Sequence, residues 1–285
     1  MFIFVISLLF TIYEINIGTR INNSMPKSIL ANMYAFLDGL VIVVMYLLTD
    51  ARLSVIQSLS RTSRILSTKD FRDLSKMIYP KDILCFLFLA VHIPNCFKHS
   101  TFLTLQNLTN MYIMMVNFSM DMFYINCVCI LKACFDKMDE FIRQLKKLRI
   151  NDNMWTQKFE HHEQPNPLLV MKLKNLEEKY LEISDGVELL NYTFMIRITV
   201  AATTTFIVVT FNIYFYIIYF HSEFPASSKY WYKPYVTPVA FYFIKFGMMI
   251  WACETATNRA RKMKTTLWDV FSATNDPFVK REVTI

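Results

Sequence analysis

Four ionisable side chains stand inside otherwise apolar stretches of this chain: Asp38, Asp121, Arg197 and Lys245. A charged group at the centre of a bilayer costs roughly 2.5–3.5 kcal/mol on insertion scales, so it faces a cavity, a partner or the headgroups. Arg197 lies near the inner end of its stretch, where its long stem lets the guanidinium snorkel to the headgroups. Lys245 lies mid-stretch and has no such escape. His92, Asn117, Asn126 and Asn212 add uncharged polar groups to the same stretches. Asp38, His92, Asn117, Asn212 and Tyr242 map to the outer halves, and Asp121 and Lys245 nearer the middle. Two roles are open to them. They line a water-accessible pocket walled by Tyr112, Tyr214, Tyr216, Phe241 and Tyr242, as pockets combine apolar walls with a few polar anchors. Alternatively, they pair between helices for packing alone.

Soluble catalytic chemistry is not evident. His161-His162-Glu163 is the one His-rich cluster, and no further ligands stand at metal spacing. No nucleophile elbow and no phosphate-binding loop occurs, and no cofactor is implied. The six cysteines form no disulfide framework and read as small buried apolar residues. Sequons occur at Asn22, Asn107, Asn117 and Asn191. Only Asn22 and Asn107 fall in segments assigned below to the outer side, so only they are candidates for glycosylation.

The elements that carry these residues are six apolar stretches, at about 1–13, 33–49, 84–97, 111–131, 194–220 and 236–253. Several reach the roughly 20 residues that a helix needs to cross a hydrocarbon core. They are continuously apolar and do not alternate, so the fold class is an all-α polytopic membrane bundle. With 54% apolar residues in 285, the chain reads as one membrane domain. The stretch 1–13 is short and lacks a basic residue before it. It reads as a clipped span ahead of a signal peptide, whose positive n-region is missing. Four glycines in all argue against close GxxxG packing as the main glue.

Charge sets the sidedness. Segments 50–82, 132–193 and 253–285 carry seven, ten and six Lys/Arg, whereas 14–31, 98–108 and 221–235 carry two, one and two. Basic connectors stay in the cytosol, so both termini are expected there. The net charge of +7 is then the inner bias of a membrane protein, with anionic lipid as its counterpart and no nucleic acid.

On the inner side, Leu169, Leu173, Leu176, Tyr180, Ile183, Val187 and Leu190 recur at alternating spacings of four and three. That is a heptad-like seam, and it feeds without a Pro break into the fifth stretch, making one long rod. Amphipathic runs also follow the fourth stretch (Met138, Phe141, Ile142, Leu145, Leu148) and the sixth (Ala256, Ala260, Met263, Leu267, Phe271). Helices at about 136–150, 168–193 and 254–273 are expected to pack as a cytoplasmic bundle. The rival arrangement lays each on the lipid surface. Asn151–Pro167 reads as a loop.

Taken together, these features resemble the insect gustatory receptor family, a branch of the insect chemoreceptor channels. The resemblance spans nearly the whole chain. It rests on six spans with an inner start and on the long helix Leu173–Asn191 (LKNLEEKYLEISDGVELLN). It rests also on Trp251–Val283 (WACETATNRARKMKTTLWDVFSATNDPFVKREV). It implies a ligand-gated cation channel subunit in the plasma membrane of a chemosensory neuron. Such subunits assemble as homo- or hetero-tetramers, have seven helices and are held by a cytoplasmic helical anchor. The implied ligand is a small-molecule tastant entering between the outer halves of the helices. The ligand residues would be Asp38, His92, Tyr112, Asn117, Asp121, Asn212, Tyr216, Tyr242 and Lys245. The family's seventh, pore-lining helix carries a Thr-Tyr and Gln-Phe signature that is absent here. A fragment lacking that helix is expected to keep receptor identity without conducting unaided.

Two other classes compete. A G-protein-coupled receptor would place the amino terminus outside, against the charge count, and no Asp-Arg-Tyr or Asn-Pro-x-x-Tyr motif occurs. A transporter using Asp38, Asp121 and Lys245 as a substrate or proton path would be expected to show internal symmetry, and none is found.

Overall fold

The computed structural model describes residues 48–90, 101–156, 167–221 and 233–272, together with Tyr13, Ile29 and part of 32–47. Helix α1 spans Thr49–Thr62, followed by a 3-10 turn at Ser63–Ile65. Helices α2 (Thr68–Ala90), α3 (Thr101–Thr156), α4 (Pro167–His221) and α5 (Lys233–Ser272) follow. No strand occurs among the described residues.

Three stretches, Met114–Lys147 in α3, Lys174–Ile218 in α4 and Val239–Asp269 in α5, are long and apolar enough to cross a membrane. Residues 1–12 of the first sequence stretch and 91–97 of the third lie outside the described residues, as does part of 33–49, Asp38 included. In α3, α4 and α5 the apolar stretch and the amphipathic run form one unbroken helix of 56, 55 and 40 residues. No proline stands where the apolar stretch meets the amphipathic run in any of the three, so nothing stops propagation across that junction once a turn has formed. Helix α3 runs to Thr156, which shortens the loop read over Asn151–Pro167. Helix α4 opens on Pro167, a residue suited to the first helical position.

Segment 50–82, legible only as a basic connector, is also helical. A capping box starts α2. The Ser67 amide and hydroxyl donate to Asp70 Oδ2 at 2.8 and 2.7 Å, and the Asp70 amide reaches back to Ser67 Oγ at 3.3 Å. Inside α2, Pro80 cannot donate to the Lys76 carbonyl.

The chain divides into two compact units. The first comprises residues 1–52, 80–125 and 192–251. Its core is aromatic. Phe118 of α3 meets Phe241 of α5 at 6.1 Å, and Phe194 of α4 meets Phe123 and Tyr124 of α3 at 5.8 and 5.3 Å.

The second unit comprises 53–79, 126–191 and 252–285. It buries Val55 and Leu59 of α1, Leu131, Met138 and Ile142 of α3, Ile183 and Leu190 of α4, and Ala256 and Met263 of α5. Cys127, Cys129 and Cys134 are buried thiols along α3, none of them in a disulfide. Gly186 sits where a Cβ would come 3.3 Å from Ser58 Oγ and 3.9 Å from Leu131 Cδ2. Its missing side chain therefore lets α1, α3 and α4 approach. Of the heptad seam, Ile183 and Leu190 are buried, and Leu176 and Val187 half-buried. Tyr180 is 45% exposed. Glu182, two residues on, pairs with Arg61 and Lys179. The side chains of Leu169 and Leu173 lie outside the described residues.

Candidate functional site

The site lies in the first unit and starts from spacing. Asn117 and Asp121 are four residues apart on α3, so they share one face. On α4, Thr193, Arg197, Thr204, Thr205 and Asn212 are all buried, a polar stripe at helical spacing. Helix α5 contributes Lys245, which is also buried.

Asp121 is fully buried and joins all three helices. Arg197 donates to its Oδ1 from Nε at 2.9 Å and stands with Nη2 2.8 Å away. The same guanidinium reaches Asn117, from Nη1 to Oδ1 at 3.1 Å and from Nη2 to the backbone carbonyl at 2.6 Å. Lys245 Nζ stands 3.0 Å from Asp121 Oδ2, at ion-pair distance but without the alignment of a hydrogen bond. Its charge also lies 4.9 Å from the centre of the Tyr242 ring, a cation–π contact. Tyr242 stacks edge-on against Phe241 at 5.4 Å.

Arg197 therefore does not snorkel. It is only 4% exposed, and a buried carboxylate on the neighbouring helix offers it more than the headgroups do. A planar, five-donor fork suits this place, because one carboxylate oxygen and two oxygens of Asn117 lie within its span.

Among the residues expected at a ligand site, Asn117, Asp121, Tyr242 and Lys245 are brought together. Asn212 is buried on the α4 stripe and donates from Nδ2 to the Val208 carbonyl at 2.7 Å. Tyr112 and Tyr216 are 64% and 38% exposed and do not join the cluster. Both stand on outward faces of their helices, so neither walls the Asp121 group as expected. Asp38, His92 and Asn22 lie outside the described residues, as do His161, His162 and Glu163. Asn107 falls within α3, which begins at Thr101, and not in a connecting loop.

Arg197 is the member that sequence reasoning misplaced. The signal that would have found it is the α4 stripe: polar side chains recur on one face through an apolar stretch, and Arg197 is on that face.

A second cluster lines a cleft of about 300 Å³ in the second unit, between Asp70 and Asp73 of α2 and Lys132, Asp136, Lys137 and Glu140 of α3. Lys137 bridges Asp70 at 3.6 Å and Glu140 at 2.7 Å. The Ser67 hydroxyl and amide, and then Lys137, hold the Asp70 carboxyl below the usual carboxylate range. The Lys137–Asp70 contact joins α2 to α3. No family model matches the chain, and no curated protein matches it.

Proposed function

We propose that this chain is a subunit of a chemosensory ligand-gated cation channel of the insect gustatory receptor type, taking small-molecule tastants at the plasma membrane. One observation carries the reading. Three helices, each with a stretch able to cross a membrane, run on unbroken into amphipathic turns that build a second compact unit. Extended helices of that kind are what the family resemblance leads one to expect of an anchor holding four subunits. The distribution of basic residues supports cytoplasmic termini. The Asp121 cluster supports a ligand-responsive interior, because ionisable groups inside an apolar bundle mark a functional place.

The test is whole-cell recording from cells expressing the open reading frame that contains this chain, challenged with sugars, bitter alkaloids and dissolved carbon dioxide. The expected result is a ligand-evoked cation current that persists when the G-protein cycle is blocked. A response abolished by that block would favour the coupled-receptor reading. Ligand uptake without current would favour a transporter.

A further inference from the structure

Exposed charge stops abruptly along α2, α4 and α5. On α2 the exposed Lys76 gives way to exposed Ile83, Leu84 and Leu87. On α4 the exposed Glu188 gives way to Tyr192, and no exposed charged side chain follows among the described residues as far as Ile218. On α5 none occurs from Val239 to Trp251, and Glu254 is then exposed. The three changes fall where the first unit takes its segments, at Pro80, Tyr192 and Trp251. Within that unit the exposed faces are apolar, Phe206 and Phe243 among them. An apolar surface on that scale calls for an apolar partner, and helices of this length fit the hydrocarbon of a bilayer.

The Asp121 cluster lies close to that edge. Asp121 is four residues before Ile125, the last of α3 in the unit, and Arg197 is five after Tyr192. At 1.5 Å per residue these are about 6 and 8 Å. In the other direction α3 begins at Thr101, twenty residues before Asp121 and about 30 Å away, the thickness of a hydrocarbon core. Two half-buried cations stand at the same level. Arg52 Nη1 lies 3.4 Å from Met120 Sδ, and Lys81 Nζ lies 3.7 Å from Met122 Sδ, on the residues either side of Asp121. Lys81 also pairs with Asp82. Charges gathered at one depth belong with headgroups and not with acyl chains. We infer that Asp121, Arg197 and Lys245 clasp the bundle at the inner edge of the hydrocarbon core, level with the lipid phosphates, and that acyl chains sheathe the unit from there outward. The sequence places Asp121 nearer the middle of the membrane. At the inner edge, the cluster feels a tastant from outside through its helices and not by contact.

The two depths differ measurably along α4. With the edge at Arg197, about ten residues or 15 Å bring the midplane beside Phe206. With Asp121 at mid-membrane, Ile196 would be deepest instead. The experiment uses the full chain in nanodiscs, with a genetically encoded fluorescent amino acid replacing Glu188, Ile196 or Phe206 in turn. All three are exposed, so the probe displaces no core side chain. Fluorescence is read with lipids brominated beside the headgroup, with lipids brominated at the chain end, and with aqueous iodide. The Phe206 probe should lose most to chain-end bromine, the Ile196 probe to headgroup-proximal bromine, and the Glu188 probe to iodide alone. Asp185, Met195 and Thr203, also exposed, stand in for any variant that fails to fold.

Strongest quenching of the Ile196 probe by chain-end bromine, or any bromine quenching at Glu188, would overturn the inference. Quenching by iodide alone at all three positions would remove the bilayer with it. The inference rests on the chain crossing a membrane and not on its being a channel, and no readout here needs a current. Failure of the depth order therefore leaves the channel reading standing, and absent currents with the expected order would count against the channel alone.

Discussion

Asp121 holds three helices through two oxygens, and its two grips differ in kind. Arg197 takes Oδ1 and also spans Asn117, whereas Lys245 takes Oδ2 in a single poorly aligned contact. Removing one partner of a buried pair costs about 3–5 kcal/mol, because the other charge is left uncompensated. Arg197→Leu is therefore expected to lower the melting midpoint of the purified chain steeply. Arg197→Lys should recover only part of the loss, since a point ammonium cannot reach both Asp121 and Asn117. Equal stability of the two variants would show that the fork geometry is unimportant. At this scale the sequence was half legible. Asp121 and Lys245 stood out because charge is rare in apolar stretches. Which cation Asp121 would meet depends on how α3, α4 and α5 are rotated against one another, and no spacing within one helix encodes that. Arg197 had a plausible alternative in the headgroups, so its partner stayed hidden.

Helix existence could be read from the chain, but helix extent less well. The amphipathic runs after the fourth and sixth stretches were visible as separate segments, yet α3 and α5 carry straight through them. Propagation needs only the absence of a breaker, whereas a composition change from apolar to amphipathic looks like a boundary. Segment 50–82 hid its helices for another reason: a connector dense in Arg and Lys has little apolar signal. Its start signal was nonetheless present, as Ser67 three residues before Asp70. Ser67→Ala removes that box and should cost about 1 kcal/mol, within the usual range for a lost cap. The pH dependence has a definite sign. The folded Asp70 carboxyl titrates below its unfolded value. Its contribution is therefore complete above an ordinary pKa of about 3.9 and disappears as the pH falls through the lower folded value. The difference in melting midpoint between wild type and Ser67→Ala should be level from about pH 7 to 5 and shrink below about pH 4. A gap that widens on acidification would contradict the capping assignment.

For the molecule as a whole, sidedness is the property from which most else follows. Twenty-three Lys/Arg fall in the three basic segments and five in the sparse ones. An epitope inserted at Arg64, in the turn between α1 and α2, should be reached by antibody only after the cells are permeabilised. One inserted at residues 225–228 should be reached in intact cells. The reverse pattern would invert the architecture and remove the basis for a ligand site open to the outside. Membrane character was legible from composition, and the division into two compact units was not. That division cuts through the middle of helices, at 125/126 and 191/192 among other places, where the sequence carries no linker. The sealed thiols of α3 have a practical corollary. Cys127, Cys129 and Cys134 sit in a row on the helix that serves both units, each shielded from reagents while the fold is intact. With the other three cysteines replaced by alanine, a fluorogenic maleimide becomes a stopwatch for local opening. It times the opening of the part of that helix that belongs to the second unit, with no need for a ligand or an electrode.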